Sequence, residues 1–208
     1  MKIKVCGMKS PDNISQLAQL PIDFMGMIFY QKSPRYVEKL TLSDLSVLPR
    51  YIERVGVFVN AERDFILEKV NEYGLDLIQL HGNESPSFCK ELNETLPIIK
   101  AFSIADISDI EQTKAYEGLW GYFLFDTKTP QHGGSGLKFD WEILNEYKGN
   151  TPFFLSGGIS AEDAERIREI KHPLLYGLDL NSKFETEPGV KDIELLKQFI
   201  KQIKDEQD

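Results

Sequence analysis

Short runs of aliphatic, β-branched and aromatic residues recur along the chain, and between them lie longer stretches in which apolar positions return every three or four residues. The first pattern marks strands and the second amphipathic helices, so the chain reads as a regular alternation of the two. Strands are predicted at residues 2–6, 24–29, 54–59, 75–80, 98–102, 122–126, 153–156 and 174–180. Helices are predicted at 11–19, 42–48, 62–73, 87–93, 108–116, 139–147, 161–170 and 192–204. Ser10, Thr41 and Ser160 stand where a side-chain oxygen can receive the free N–H groups of a helix start, and Gly74 suits a left-handed helix end.

Several of the strands, such as Gly56-Val57-Phe58-Val59 and Phe153-Phe154-Leu155, are apolar at almost every position. That pattern suits strands buried on both faces of a parallel sheet. Eight successive βα units in 208 residues predict a single-domain (β/α)8 TIM barrel spanning residues 1–208. A doubly wound open sheet is the competing arrangement. It asks for a G-x-G-x-x-G turn after the first strand, and Cys6-Gly7-Met8-Lys9-Ser10 lacks that spacing. No repeat beyond the βα period and no low-complexity tract divides the chain. The longest irregular connection, residues 128–136, reads either as a mobile flap or as a plain loop.

Composition narrows the class. Apolar residues make up 41% and charged residues 27%, the balance of an ordinary globular protein. No apolar run approaches the roughly 18 residues of a membrane helix, and the chain enters a strand at once, so neither a membrane span nor a leader is expected. Two cysteines, Cys6 and Cys89, are too few for a disulfide framework and point to a reducing compartment, hence the cytoplasm. A net charge of −9 without a basic stripe argues against nucleic acid as a partner. A monomer is expected, since no continuous apolar surface stretch stands out.

In such barrels chemistry sits at the C-terminal ends of the strands. Cys6 ends the first strand, where its thiol would face the barrel mouth, although a lone cysteine next to a strand is usually a small buried hydrophobe. Asp126 ends the run Tyr122-Phe123-Leu124-Phe125, where burial would help a carboxyl keep its proton, although a loop-capping carboxylate fits the same position. Together they supply a proton acceptor and a proton donor. Ser156-Gly157-Gly158 after strand seven, with Asn181-Ser182 after strand eight, fits a phosphate cradle of backbone N–H groups, or ordinary turn chemistry. Arg35 offers a bidentate fork to a carboxylate, or is a surface arginine. His81 and Asp179 stand where they can line the pocket, although a structurally hydrogen-bonded histidine fits the position of His81 as well. His132 and His172 show no metal-ligand spacing with Cys, Asp or Glu, so no metal is implied. Cys89 falls in a predicted helix and is expected to serve packing alone.

Taken in order, these segments resemble phosphoribosylanthranilate isomerase, a family of tryptophan-pathway enzymes that perform an Amadori rearrangement. The resembling segments are Lys4-Val5-Cys6-Gly7, Gly26-Met27-Ile28-Phe29 with Ser33-Pro34-Arg35, Val55-Gly56-Val57-Phe58 and Gln79-Leu80-His81-Gly82. They continue with Asp126-Thr127, Gly133-Gly134-Ser135-Gly136 before Phe139-Asp140-Trp141, Leu155-Ser156-Gly157-Gly158-Ile159, and Pro188-Gly189-Val190-Lys191-Asp192. The resemblance implies that Cys6 is the general base and Asp126 the general acid, that Arg35 lies near the anthranilate carboxylate, and that Gly157, Gly158, Asn181 and Ser182 hold the phosphate. It implies neither metal nor redox cofactor. A free thiol ionises at about pH 8.5, so a thiol base at neutral pH calls for a site that lowers that value. One stretch departs from the family pattern: Asn181 stands where a second serine is expected and Lys183 where glycine is expected, in Asp179-Leu180-Asn181-Ser182-Lys183-Phe184-Glu185.

Three other readings are weaker. The related isomerase of histidine biosynthesis resembles two fused half-barrels with an aspartate ending strand one, whereas this chain has Cys6 and no half-chain repeat. An epimerase or aldolase would need a metal cluster or a Schiff-base lysine at a strand end. A non-catalytic phosphate-binding barrel would have little use for Cys6, Asp126 and Arg35 together.

Overall fold

A computed structural model describes residues 1–128 and 139–204. The elements run β1 (Lys2–Cys6), α1 (Pro11–Leu17), β2 (Phe24–Ile28), β3 (Glu53–Phe58), α2 (Arg63–Tyr73), β4 (Leu77–Leu80), α3 (Pro86–Asn93), β5 (Ile98–Ile104), α4 (Ile107–Glu111) and β6 (Gly121–Thr127). They continue with β7 (Phe153–Leu155), α5 (Ala164–Glu169), β8 (Leu175–Leu180), a short β9 (Glu185–Glu187) and β10 (Val190–Lys191) hairpin, and α6 (Ile193–Lys204). Strands β1 to β8 pair in sequence order and all in parallel, and β8 closes on β1 through Lys4 opposite Asp179. The expected (β/α)8 barrel is therefore the fold.

Alternation along each strand divides the core in two. Outward residues such as Ile3, Val5, Met25, Ile78, Phe123 and Leu178 pack against the helices in an annular core. Inward residues Phe24, Val55, Leu77, Ile99, Ala101, Leu124 and Phe154 fill the barrel itself. At its base Phe24, Tyr122, Phe154 and Tyr176 close the lumen in mutual ring contact, with centroids 4.6 to 6.4 Å apart. The buried polar residues Lys4, Gln79, Asp126, Ser156 and Asp179 lie towards the other end, the mouth of the barrel.

Two expected helices take another form, and one hairpin is additional. The stretch 42–48 forms a single 3-10 turn, Asp44–Val47, because the Asp44 carboxylate binds back to Thr41 and Leu48 turns extended (ψ 127°) ahead of Pro49. A residue before proline is driven out of the helical region. Residues 139–147 also reduce to a 3-10 segment, Trp141–Glu146, whose chain then turns so that Tyr147 packs edge-on against Phe125 and Phe153. The β9–β10 hairpin was not anticipated, since two- and three-residue strands carry too little alternation to be seen. The expectation for the 128–136 connection lies, beyond Lys128, outside the described residues, as does Gly133-Gly134-Ser135-Gly136. No described helix is long and apolar enough to cross a membrane.

Candidate active site

On β1 every second side chain enters the lumen, which carries Lys4 and then Cys6 inward toward the mouth. Lys4 is fully buried, and its ammonium lies 2.7 Å from Asp179 Oδ1, contributed by the neighbouring strand at the paired position. Asp179 Oδ2 in turn accepts a 3.3 Å hydrogen bond from Ser156 Oγ. Cys6, 3% exposed, sits directly above Lys4. Burial pushes its thiol above the ordinary value; the attraction of the Lys4 and Lys191 ammonium groups works the other way, and Asp179 adds to the rise. The expected lowering of this thiol is thus not met in the free protein, because desolvation outweighs the nearby cations. Burial also disfavours the Lys4 ammonium, but Asp179 and Cys6 hold its pKa above the usual lysine value.

Asp126 is the penultimate residue of β6, on the inward face, and is 8% exposed. Its Oδ1 accepts the Thr127 backbone N–H at 2.8 Å, and its Oδ2 lies 3.1 Å from His81 Nε2. The other ring nitrogen of His81, Nδ1, lies 2.9 Å from Gln79 Nε2, so both ring nitrogens are engaged. Below His81 the loop after β4 is anchored by a buried pair: Lys100 Nζ donates to Gly82 O at 2.8 Å and to Glu84 Oε2 at 3.1 Å. Gly157 completes this side. Its φ of +89° and the 2.9 Å that would separate an added Cβ from Asp126 Oδ1 both require glycine.

Arg35 is buried rather than a surface residue, at 9% exposure. It passes over Gly7, where an added Cβ would come within 2.7 Å of Arg35 Cδ. Its Nε and Nη2 form a fork on Glu185, with distances of 2.9, 3.1 and 2.7 Å, and Nη1 takes no part in that pair. Glu185 Oε1 also accepts from Lys191 Nζ at 2.6 Å, and Lys191 donates at 2.7 Å to Asn181 Oδ1. Burial pushes the Glu185 carboxyl up, but the Arg35 and Lys191 donors and charges hold it below the usual range. Burial lowers Lys191 despite Glu185.

Gly158 also has positive φ, +66°, so the chain after β7 winds through two consecutive left-handed residues. The helical turn that follows is already capped: the Asp163 carboxylate accepts from Ser160 N and Oγ at 2.7 and 2.8 Å. Ser182 opens a 3-10 turn, Ser182–Phe184, directly after β8.

Every site residue singled out from the sequence lies at this mouth. Cys6 and Asp179 are linked through Lys4, His81 joins Asp126, Gly157 abuts Asp126, and Arg35 joins Asn181 through Glu185 and Lys191. Sequence reasoning missed Lys4, Gln79, Glu185 and Lys191 as members of the site. Lys4 had a visible signal, a charge inside an apolar strand two residues before Cys6; Glu185 and Lys191 lie on the unanticipated hairpin. Among the described residues no group of three or more His, Cys, Asp or Glu side chains is arranged to hold a metal ion.

Fold and mouth together define an enzyme of the (β/α)8-barrel class, with its polar centre at the C-terminal ends of the strands. Comparison with protein families matches N-(5'phosphoribosyl)anthranilate (PRA) isomerase over residues 3–202. N-(5'-phosphoribosyl)anthranilate isomerase of Parabacteroides distasonis is 52% identical over 206 residues, covering 98% of this chain and 93% of the relative. The crystal structure of phosphoribosyl anthranilate isomerase from Thermotoga maritima superposes with a TM-score of 0.84 at 33% identity, covering 99% of each chain. A structure of such an isomerase in complex with reduced 1-(o-carboxyphenylamino)-1-deoxyribulose 5-phosphate has a TM-score of 0.82 at 30% identity, covering 99% of each chain. The chain belongs to the phosphoribosylanthranilate isomerase family. It is an isomerase of tryptophan biosynthesis.

Proposed function

We propose that this chain rearranges N-(5-phosphoribosyl)anthranilate to 1-(2-carboxyphenylamino)-1-deoxyribulose 5-phosphate with Asp126 as general acid and Cys6 as general base. Asp126 protonates the furanose ring oxygen, the C1′–O bond breaks, and the anthranilate nitrogen forms a Schiff base with C1′. The C2′ proton, made acidic by the iminium, passes to the Cys6 thiolate. The resulting enolamine tautomerises to the ketone, so proton transfers alone complete the step.

The observation that carries this reading is the pairing of chemistries at one mouth: a buried thiol beside a buried ammonium on β1, and a buried carboxyl on β6. The substrate is an anion at both ends, and Lys4, Lys191 and the free Nη1 edge of Arg35 place positive charge on the side where a carboxylate would dock. The amides of Gly157 and Gly158, with Asn181 and Ser182, suit the phosphate. Asp179 serves the substrate by fixing Lys4, and His81, with both nitrogens engaged, meets it only through its ring edge. Residues 1–208 form one catalytic domain acting as a monomer in the cytoplasm.

The test is turnover of freshly generated N-(5-phosphoribosyl)anthranilate, followed by loss of anthranilate fluorescence, for the parent, Cys6→Ala and Asp126→Asn. Removing either group from the chemistry is expected to cost kcat about 100-fold or more. A folded variant of either kind that keeps full turnover would remove its residue from the mechanism.

A further inference from the structure

Gln79, His81 and Asp126 form a chain of contacts that the acid–base assignment leaves unexplained. All three side chains point into the lumen from β4 and β6, which are separated by β5. Contact across that gap depends on β5 presenting the small Ala101 on its inner face. Gln79 is almost wholly buried, its amide nitrogen is spent on His81 Nδ1 at 2.9 Å, and its Oε1 has no hydrogen-bond partner among the described residues. A buried amide with an unpaired oxygen is costly, of the order of 1–3 kcal/mol, so packing alone is a poor reason to keep glutamine there.

The recorded orientation of the Gln79 amide, nitrogen towards Nδ1, sets the direction of the chain. An N–H from Gln79 onto Nδ1 makes that nitrogen an acceptor, and a neutral imidazole then carries its proton on Nε2. That proton points at Asp126 Oδ2, while Thr127 N–H points at Oδ1. Both carboxylate oxygens thus face a donor, and the carboxyl plane is fixed. The arrangement matches the anion that Asp126 becomes once it has protonated the substrate, so its stabilising effect grows as the proton leaves.

We propose that His81 is a positioning residue which, with its ring proton set by Gln79, orients Asp126 and stabilises the carboxylate left after proton donation. The inference rests on Asp126 being the acid. His81 acts through Asp126 and takes no proton from the substrate.

The experiment combines kinetics with 15N NMR of the histidine rings, of which the chain has three. The His81 signal is identified by its loss in His81→Gln. The expected spectrum of the parent shows His81 neutral with the proton on Nε2, and Gln79→Glu moves a proton onto Nδ1. In turnover, His81→Ala is expected to lower kcat about 10- to 100-fold with KM within about twofold, and His81→Gln, which restores an N–H near the same place, to recover much of it. His81→Ala added to Asp126→Asn should cost nothing further. Should His81→Ala fail to fold, His81→Gln and Gln79→Met carry the same comparison, Gln79→Met lowering kcat and not KM. An Nδ1-protonated neutral ring in the parent, a loss confined to KM, or losses that multiply in the double variant would each overturn the proposal while leaving Asp126 as the acid. Full activity in Asp126→Asn would instead defeat the acid assignment itself.

Discussion

Cys6 owes its position to two neighbours of opposite character. Gly26, paired with it across β1 and β2, leaves the space for Sγ, since an added Cβ would come within 2.7 Å of it. Lys4 supplies the charge that a thiolate needs. Because burial raises the thiol pKa in the free protein, the thiolate fraction grows as pH rises through that elevated value. The rate constant kcat/KM should therefore climb on the alkaline side of neutrality, not plateau at pH 7. Lys4→Met removes the nearest cation, and the alkaline limb of a pH–rate profile should move to higher pH. The same change leaves the buried Asp179 carboxylate without its partner, so unfolding free energy should fall by about 3–5 kcal/mol in a denaturant titration. An unmoved limb in a folded Lys4→Met variant would separate Lys4 from the thiol.

Between elements, the β9–β10 hairpin works as a clasp. It brings Glu185 and Lys191 from beyond the barrel to the loop that carries Arg35, and a three-membered ion cluster joins the two. Glu185 is depressed in the folded state by Arg35 and Lys191 in spite of its burial. A carboxyl whose folded pKa lies below its unfolded value, about 4.3 for glutamate, stabilises the fold above that unfolded value. The contribution is lost as pH falls through the lower folded value. Glu185→Gln should thus be less stable than the parent by about 3–5 kcal/mol at pH 7, with two buried cations left unpaired, and the gap should narrow below about pH 4. Urea titrations at the two pH values measure it. Of the two positions that depart from the family pattern, Asn181 uses its side-chain oxygen to accept from Lys191, so the residue ties the clasp to the end of β8.

For the molecule as a whole, closure of the sheet decides where the open end lies. Phe154 sits in the aromatic base of the lumen, 5.3 to 5.5 Å from the rings of Phe24, Tyr122 and Tyr176. Phe154→Ala would leave a cavity that the closed ring of strands cannot collapse, at a cost of about 3–5 kcal/mol. For a domain of this size that corresponds to a drop of about 10 °C in the thermal midpoint. Since inner and annular cores share every strand, one cooperative transition is expected for parent and variant alike, and two transitions by calorimetry would contradict a single domain.

The alternation of short apolar runs with amphipathic stretches was enough to determine the strands, their parallel order and the barrel, because strand burial on both faces and the helix period are local properties of residue type. It also located Cys6, His81, Asp126, Asp179, the Gly157-Gly158 turn and Asn181, because each stands where an apolar run stops. What the residues pair with was decided only by closure. Lys4 meets Asp179 because β8 returns to β1, 175 positions away in the chain; His81 reaches Asp126 across the small residue of an intervening strand; Arg35 meets Glu185 because a hairpin too short to show any period folds back over the mouth. The thiol's raised pKa belongs to the same level, since it follows from how completely seven other strands exclude water from Cys6, and no local pattern contains that quantity.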